Sequence, residues 1–323
     1  MSVRVLVTGM GGELGTRVAQ LLEARTDVDT VIGCDIVPPR RRLRRAEFRR
    51  IDPRRRERLR DFVLEVAPTH IAHFGVYEPA SRLAPEDAAL RTELATVTVL
   101  SAAARTGALE YVVVRSGLEV YGPRRNRASV PDESVPPAPG SPFGATLLRV
   151  ETHAAALGRR HDLPVGALRY APVVGSHVPS PLGRLLRLPL VPVHATSDPP
   201  FSLLHPEDAC RAMVAALVAR HDGPLNVVGP GAASPWQAAR LGGRVPLPVP
   251  GVGWGLASRG AELLGAAIAP HVVELVRHGR TGRGDAAVDA LSLGALRSTR
   301  DVLAELYEWA EVVPLSTAQS AVA

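Results

Sequence analysis

The chain has 323 residues, of which 46% are hydrophobic and 22% charged. That is enough apolar material for one large α/β domain, or a nucleotide-binding domain with a smaller partner, and too much for global disorder. Formal net charge is +6 and all 38 basic residues are arginine, which excludes a Schiff-base lysine, a phosphate-loop lysine and a catalytic tyrosine–lysine pair.

Val3 to Thr8 is a short apolar, β-branched run, and the glycines after it give way to helical spacing at Leu14, Val18, Leu21 and Leu22. The chain enters this strand without a charged region followed by a long apolar stretch, so no signal peptide is read. Further strands are expected at 30–35, 47–52, 69–75, 110–116 and 163–170, with helical patterns over 54–66, 86–106 and 143–160 between them. Strands that are apolar throughout and alternate with helices predict an α/β fold, a doubly wound parallel sheet with helices on both faces. Residues 1–170 are read as this dinucleotide-binding (Rossmann) domain. Residues 171–313, with short strands at FSLL and PLNVV, are read mainly as a small C-terminal substrate lobe with some segments returning to the sheet, and 314–323 as a tail. The apolar stretch 252–276 is interrupted by Arg259 and Glu262, and no segment reaches the roughly 18 apolar residues of a membrane span. Cys34 and Cys210 are too few for a disulfide framework or a thiolate metal site, and a reducing cytoplasm is expected.

The first strand-to-helix turn, VTGMGGELG, spaces Gly9, Gly12 and Gly15 as G-x-x-G-x-x-G. The first glycine permits the turn, the second lets backbone N–H groups approach a pyrophosphate, and the third packs helix on strand beneath the positive end of the helix dipole. A glycine-rich turn without a ligand is the blander reading. Asp35 weighs against it, because it ends the second strand twenty residues after Gly15, where a carboxylate binds ribose hydroxyls. A carboxylate there favours NAD over NADP, while the arginines at 40–42 keep NADP open.

These residues resemble the extended short-chain dehydrogenases/reductases, the NAD-dependent epimerase/dehydratase superfamily. Thr8 to Gly15 is similar to its T-G-x-x-G-x-x-G. Asp52 in RRIDP stands where the family contacts adenine, and His73 to Gly75 is similar to its H-[LF]-A loop. SGLEVYG at 116–122, LRYAPVVGSH at 168–177, LLHPEDACRAM at 203–213 and LGALRSTRDVLAELYEW at 293–309 follow in the family's order, so the resemblance covers nearly the whole chain. It implies a cofactor site at Thr8, Gly9, Gly12, Gly15, Asp35, Asp52, His73, Gly75 and Ser116, and a homodimer through helices 86–106 and 143–160.

The resemblance also implies a loss. The family's P-Y-G-x-S-K-x-x-x-E segment is SPFGATLLRVE here, so Phe143 takes the place of the acid/base tyrosine and Leu147 that of the lysine. Gly117 takes the place of the serine that bonds the reacting oxygen, with Ser116 surviving beside it, and Thr92 stands near an expected asparagine. Phenylalanine carries no proton and leucine no charge, so the usual redox step is expected to fail. Substitutes to weigh are Tyr121 with Arg125, Glu119, Thr146 and His177, although Tyr121 is also the structural tyrosine of V-Y-G.

Twelve arginines fall within residues 40–60, with Phe48 the one aromatic among them. Nucleic-acid binding is not favoured without stacking aromatics. An anionic membrane surface or acidic partner stays open, and a solvated helix face in an arginine-biased chain is the plainer reading. Three functions therefore compete. One is an NAD(H)-binding family member with a degenerate Ser/Tyr/Lys site, acting as sensor, scaffold or partner-binding protein. The second is an active epimerase, dehydratase or carbonyl reductase on a nucleotide sugar or similar small molecule with a substitute acid/base. The third is a peripheral membrane module using the arginine run and the 252–276 helix.

Overall fold

The computed structural model describes residues 3–81, 83–123, 130–175, 177–263 and 267–308. Arg125 and the 314–323 tail lie outside the described residues. The chain begins with β1 (Arg4–Thr8), α1 (Glu13–Glu23), β2 (Thr30–Asp35), β3 (Glu47–Arg50), α2 (Arg56–Val66) and β4 (His70–His73). It continues through α3 (Pro85–Ala104), β5 (Tyr111–Gly117), a 3₁₀ turn at Leu118–Tyr121, α4 (Pro142–His161) and β6 (Val165–Tyr170). The sheet order is β3-β2-β1-β4-β5-β6-β8, all parallel, with β8 (Gly223–Val227) reached through α6 (Pro206–Ala219). The order reverses between β1 and β4, which opens a crevice at their carboxyl ends where such sheets take ligands. Helices α1 and α6 pack side by side, and α2, α3 and α4 form the second helical layer.

Local sequence explains the helix that matters most. Ser141 caps α4 by accepting a hydrogen bond from the Gly144 N–H, Pro142 opens the first turn, and Arg159, Arg160 and His161 sit at the negative end. Its buried stripe, Phe143, Leu147, Val150 and Ala154, faces the sheet.

The remaining elements are α5 (Pro181–Leu186), β7 (Leu190–His194), α7 (Pro235–Leu241), β9 (Val245–Val249), α8 (Trp254–Leu263), α9 (Pro270–His278), α10 (Asp285–Leu291) and α11 (Thr299–Glu308). Strands β7 and β9 pair in parallel, and around them a second hydrophobic cluster joins Leu185, Leu186, Phe201, Leu275 and Leu303.

Two expectations are corrected. FSLL is not a strand: Phe201, Ser202 and Leu204 donate to the carbonyls of Ala233, Arg280 and Pro172, three different segments, so the stretch ties parts together without forming a ladder. The arginine run is not one helix face. It spans a loop, β3 and the first half of α2, and several of its side chains are committed. Arg41 pairs with Glu13 at 3.0 Å, Arg50 Nε donates to the Ile36 carbonyl at 2.9 Å, and Arg45 bonds the Glu23 carbonyl. The apolar stretch 252–276 is divided between α8 and α9, and among the described residues no helix is long and apolar enough to cross a membrane.

Candidate functional site

The glycine turn is shaped by close approach. Gly9 has φ +69°, and a Cβ there would lie 2.3 Å from the Phe74 carbonyl oxygen. A Cβ on Gly15 would meet the Gly9 oxygen at 2.2 Å, which explains how closely α1 sits on the turn. Gly12 differs: its Cβ would stand 3.3 Å from the Gly9 oxygen, and no side chain caps α1 there. The positive end of α1 thus faces a groove of about 230 Å³, lined by Gly9, Gly12, Asp35, Tyr77, Glu78 and Arg115 among others.

Asp35 is buried at the end of β2. Its Oδ1 accepts from the Ile36 N–H at 2.7 Å and the Tyr77 hydroxyl at 3.1 Å, and burial pushes its carboxyl up to about 6 against these bonds. A carboxylate so poorly hydrated, at the mouth of a glycine cradle, fits a ligand that brings hydroxyl donors.

Thr8 and His73 brace the turn from behind. The Gly75 N–H donates to Thr8 Oγ1 at 3.1 Å, and Thr8 Oγ1 lies 2.8 Å from His73 Nδ1. His73 Nε2 lies 2.9 Å from Thr96 Oγ1, whose own proton goes to the Thr92 carbonyl. The chain closes with His73 neutral and protonated on Nε2, and burial pushes its pKa down to about 4. Asp52 does not line the groove. It pairs with Arg91 and Arg54, each at 2.9 Å, in an adjoining cleft.

At the other end of the groove Gly117, Phe143 and Leu147 converge, all buried, around a cavity of about 30 Å³. Glu119 fills the space beside them: a Cβ on Gly117 would lie 2.2 Å from Glu119 Oε2 and 3.2 Å from Leu147. The Glu119 carboxylate pairs with Arg280 at 2.9 Å, and Arg280 pairs with Glu274 at 2.7 Å. His271 packs its ring 4.8 Å from that of Phe143, its Nε2 lies 3.2 Å from Glu78 Oε1, and its buried Nδ1 has no hydrogen-bond partner among the described residues. Arg115 lines both cavity and groove, with a buried Nε that is also unpartnered among the described residues. Glu78, Arg115, His271 and Arg280 were missed by sequence reasoning, since each stands outside any motif.

The other candidates lie elsewhere. The Tyr121 hydroxyl accepts from Arg169 at 2.8 Å and reaches Asn226 Oδ1 at 2.8 Å. Arg169 in turn pairs with Glu151, which also takes the Ser116 hydroxyl. Tyr121 thus belongs to a buried network beside the cavity, while Ser116 touches both. The Thr92 hydroxyl accepts from the Tyr77 N–H, Thr146 donates to the Pro142 carbonyl, and His177 is exposed.

Residues 5–228 match the model of a family described as the NAD dependent epimerase/dehydratase family. An uncharacterized protein of Mycobacterium tuberculosis is 34% identical over 271 residues, which cover 79% of this chain and 70% of that one. Among solved structures, UDP-glucuronic acid 4-epimerase from Bacillus cereus, in complex with UDP-glucuronic acid and NAD, superposes with a TM-score of 0.74 at 18% identity, covering 95% of this chain and 99% of that one. MoeE5, in complex with UDP-glucuronic acid and NAD, has a TM-score of 0.67 at 26% identity, with 98% and 99% covered.

Proposed function

This chain belongs to the NAD dependent epimerase/dehydratase family, and from that premise we propose that it is an NAD(H)-binding member whose site no longer performs the family's usual redox chemistry, so that it serves as a sensor, scaffold or partner-binding protein. Backbone donors at Gly9 to Gly15 hold the pyrophosphate and Asp35 accepts from the ribose hydroxyls, a division of labour that needs no lysine. NAD over NADP is favoured by Asp35 and by the NAD held in the similar structures. When bound, the nicotinamide supplies hydride transfer; what this chain withholds is the proton transfer that must accompany it.

One observation carries the reading. The place beside Gly117, Phe143 and Leu147 is filled, by Glu119 and its ion pair with Arg280, down to about 30 Å³. A single water needs about 10–15 Å³ of such space, so what remains admits water and not a sugar ring. Neither Phe143 nor Leu147 can take a hydroxyl proton, a contribution worth about 10² to 10⁴ in rate.

A second reading, an active enzyme on a nucleotide sugar or similar substrate, is favoured by His271. Its ring lies against Phe143, Glu78 orients it, and one nitrogen is unpartnered, as a substitute acid/base would require. Calorimetry separates the two. Under the first reading NAD binds and UDP-glucuronic acid gives no heat with the NAD-loaded protein; saturable sugar binding at that stage favours the second.

We place a homodimer contact on the outer face of α3 and α4, where Leu90 is 49% exposed and Leu100, Ala156 and Leu157 line a shallow depression. Two buried, unpaired cysteines suit a reducing cytoplasm.

A further inference from the structure

Beside the nucleotide groove, and sharing Ile36 and Val37 with it as a common wall, lies a second and larger cleft of about 1350 Å³ between the start of α2 and the side of α3 toward it. Eight arginines line it against two carboxylates, Asp52 and Glu57. Some of these arginines are neutralised. Arg54 and Arg91 share Asp52, and Arg60 pairs with Asp61. Arg55, Arg56, Arg58 and Arg105 are exposed and make no ion pair or side-chain hydrogen bond among the described residues.

Two features separate this cleft from a solvated charge run. Arg55, Arg56 and Arg58 crowd the amino end of α2, where the helix dipole disfavours cations, so an anion there is favoured. At the α3 wall, Arg91 and Thr98 are only 7% and 8% exposed, and Arg91 Nε and Thr98 Oγ1 are buried polar atoms without a hydrogen-bond partner among the described residues. Buried donors without partners are uncommon in folded proteins. The lining contains no aromatic side chain, so bases have nothing to stack on.

We propose that this cleft is a binding site for a soluble compound carrying several phosphate groups, occupied alongside the dinucleotide. The planar arginine forks suit phosphate oxygens, and unpaired cations on both walls of one cleft, at the start of α2 and at the end of α3, suit a condensed or multiply phosphorylated ligand better than a single phosphate. The site stands whichever reading of the sugar cavity holds, because it uses none of those residues.

The test uses the intact protein saturated with NAD and inorganic tripolyphosphate as the probe, followed by calorimetry. The expected result is saturable, salt-sensitive binding. The variant Arg55→Gln/Arg58→Gln/Arg105→Gln weakens it by about a hundredfold, each lost charge-assisted contact counting for about tenfold or less. A charge-matched control, Arg42→Gln/Arg44→Gln/Arg49→Gln, removes three arginines of the same run that do not line the cleft and leaves binding nearly unchanged. Equal weakening in both variants would reduce the effect to net charge and overturn the proposal. So would loss of tripolyphosphate binding on saturation with NAD, which would place the anion on the pyrophosphate cradle. Vesicles of phosphatidylcholine and cardiolipin form a separate arm: no cosedimentation is expected, and capture that the cleft variant loses would assign the site to lipid headgroups instead.

Discussion

Asp35 holds a conflict that makes it testable on its own. Burial pushes its carboxyl up to about 6, so the folded protein binds this proton more tightly than the unfolded chain does. The stabilisation this gives is complete below the unfolded value, near 4, and is lost as pH rises through about 6. At neutral pH the ionised side chain therefore costs the free protein roughly 2–3 kcal/mol relative to a neutral one. In the proposed NAD complex, ribose hydroxyls donating to the carboxylate would offset that cost. Asp35→Asn is expected to raise the melting temperature of the free protein while weakening NAD about tenfold or more. Wild-type affinity is expected to fall as pH is lowered through about 6, because a protonated carboxyl must lose its proton to accept both hydroxyls. Calorimetry across that range checks it, and a flat profile would remove Asp35 from the site. Asp35 was legible in the sequence because its position after the glycine turn is fixed by one crossover. The role of His73 was less so. Read as a cofactor-loop residue, it lies in a hydrogen-bond chain from Thr8 to Thr96 that only the pairing of β1, β4 and α3 brings together.

At the scale of elements, the turn between β1 and α1 does two things that glycine substitutions separate. Gly15→Ala drives a Cβ into the Gly9 carbonyl and must push α1 off the turn, so stability falls by about 1–3 kcal/mol and NAD binding falls with it. Gly12→Ala meets that oxygen only at 3.3 Å, so the fold is expected to melt nearly as the wild type does while NAD binds more weakly, because the added methyl occupies the path of the pyrophosphate. Thermal melting and calorimetry on the two variants check this, and identical behaviour would mean that Gly12 is only a packing residue. The strands and helices of the sheet were legible because strands buried on both faces and helices buried on one leave different periods. FSLL was misread since its apolar composition is that of a strand, yet its backbone bonds run to three separate segments. The arginine run was misread as one face because charge composition does not reveal that a loop, β3 and α2 divide it.

For the whole molecule, the candidate site is built across large sequence separations. Arg280 meets Glu119 from 161 residues away and His271 meets Glu78 from 193, so neither partner carries a local pattern. The residues at positions 117, 143 and 147, on which the proposed loss of redox chemistry rests, lie on one helix and one strand end and were visible in the sequence. What packs beside them was not, since it depends on how α9 and Arg280 close over the end of β5. The outer face of α3 and α4 supports a further expectation: the protein sediments as a dimer, and Ala156→Glu, which places a charge in the depression there, shifts it toward monomer without altering NAD affinity. A monomeric wild type would contradict that contact. The central claim, that NAD is held but not turned over, is tested most directly by loading the protein with NAD and following NADH absorbance and product chromatography after UDP-glucose, UDP-glucuronic acid or dTDP-glucose is added. The account predicts bound NAD, no NADH transient and unchanged sugar; an NADH signal or an epimerised or dehydrated product, lost in His271→Ala or Glu119→Gln, would contradict it.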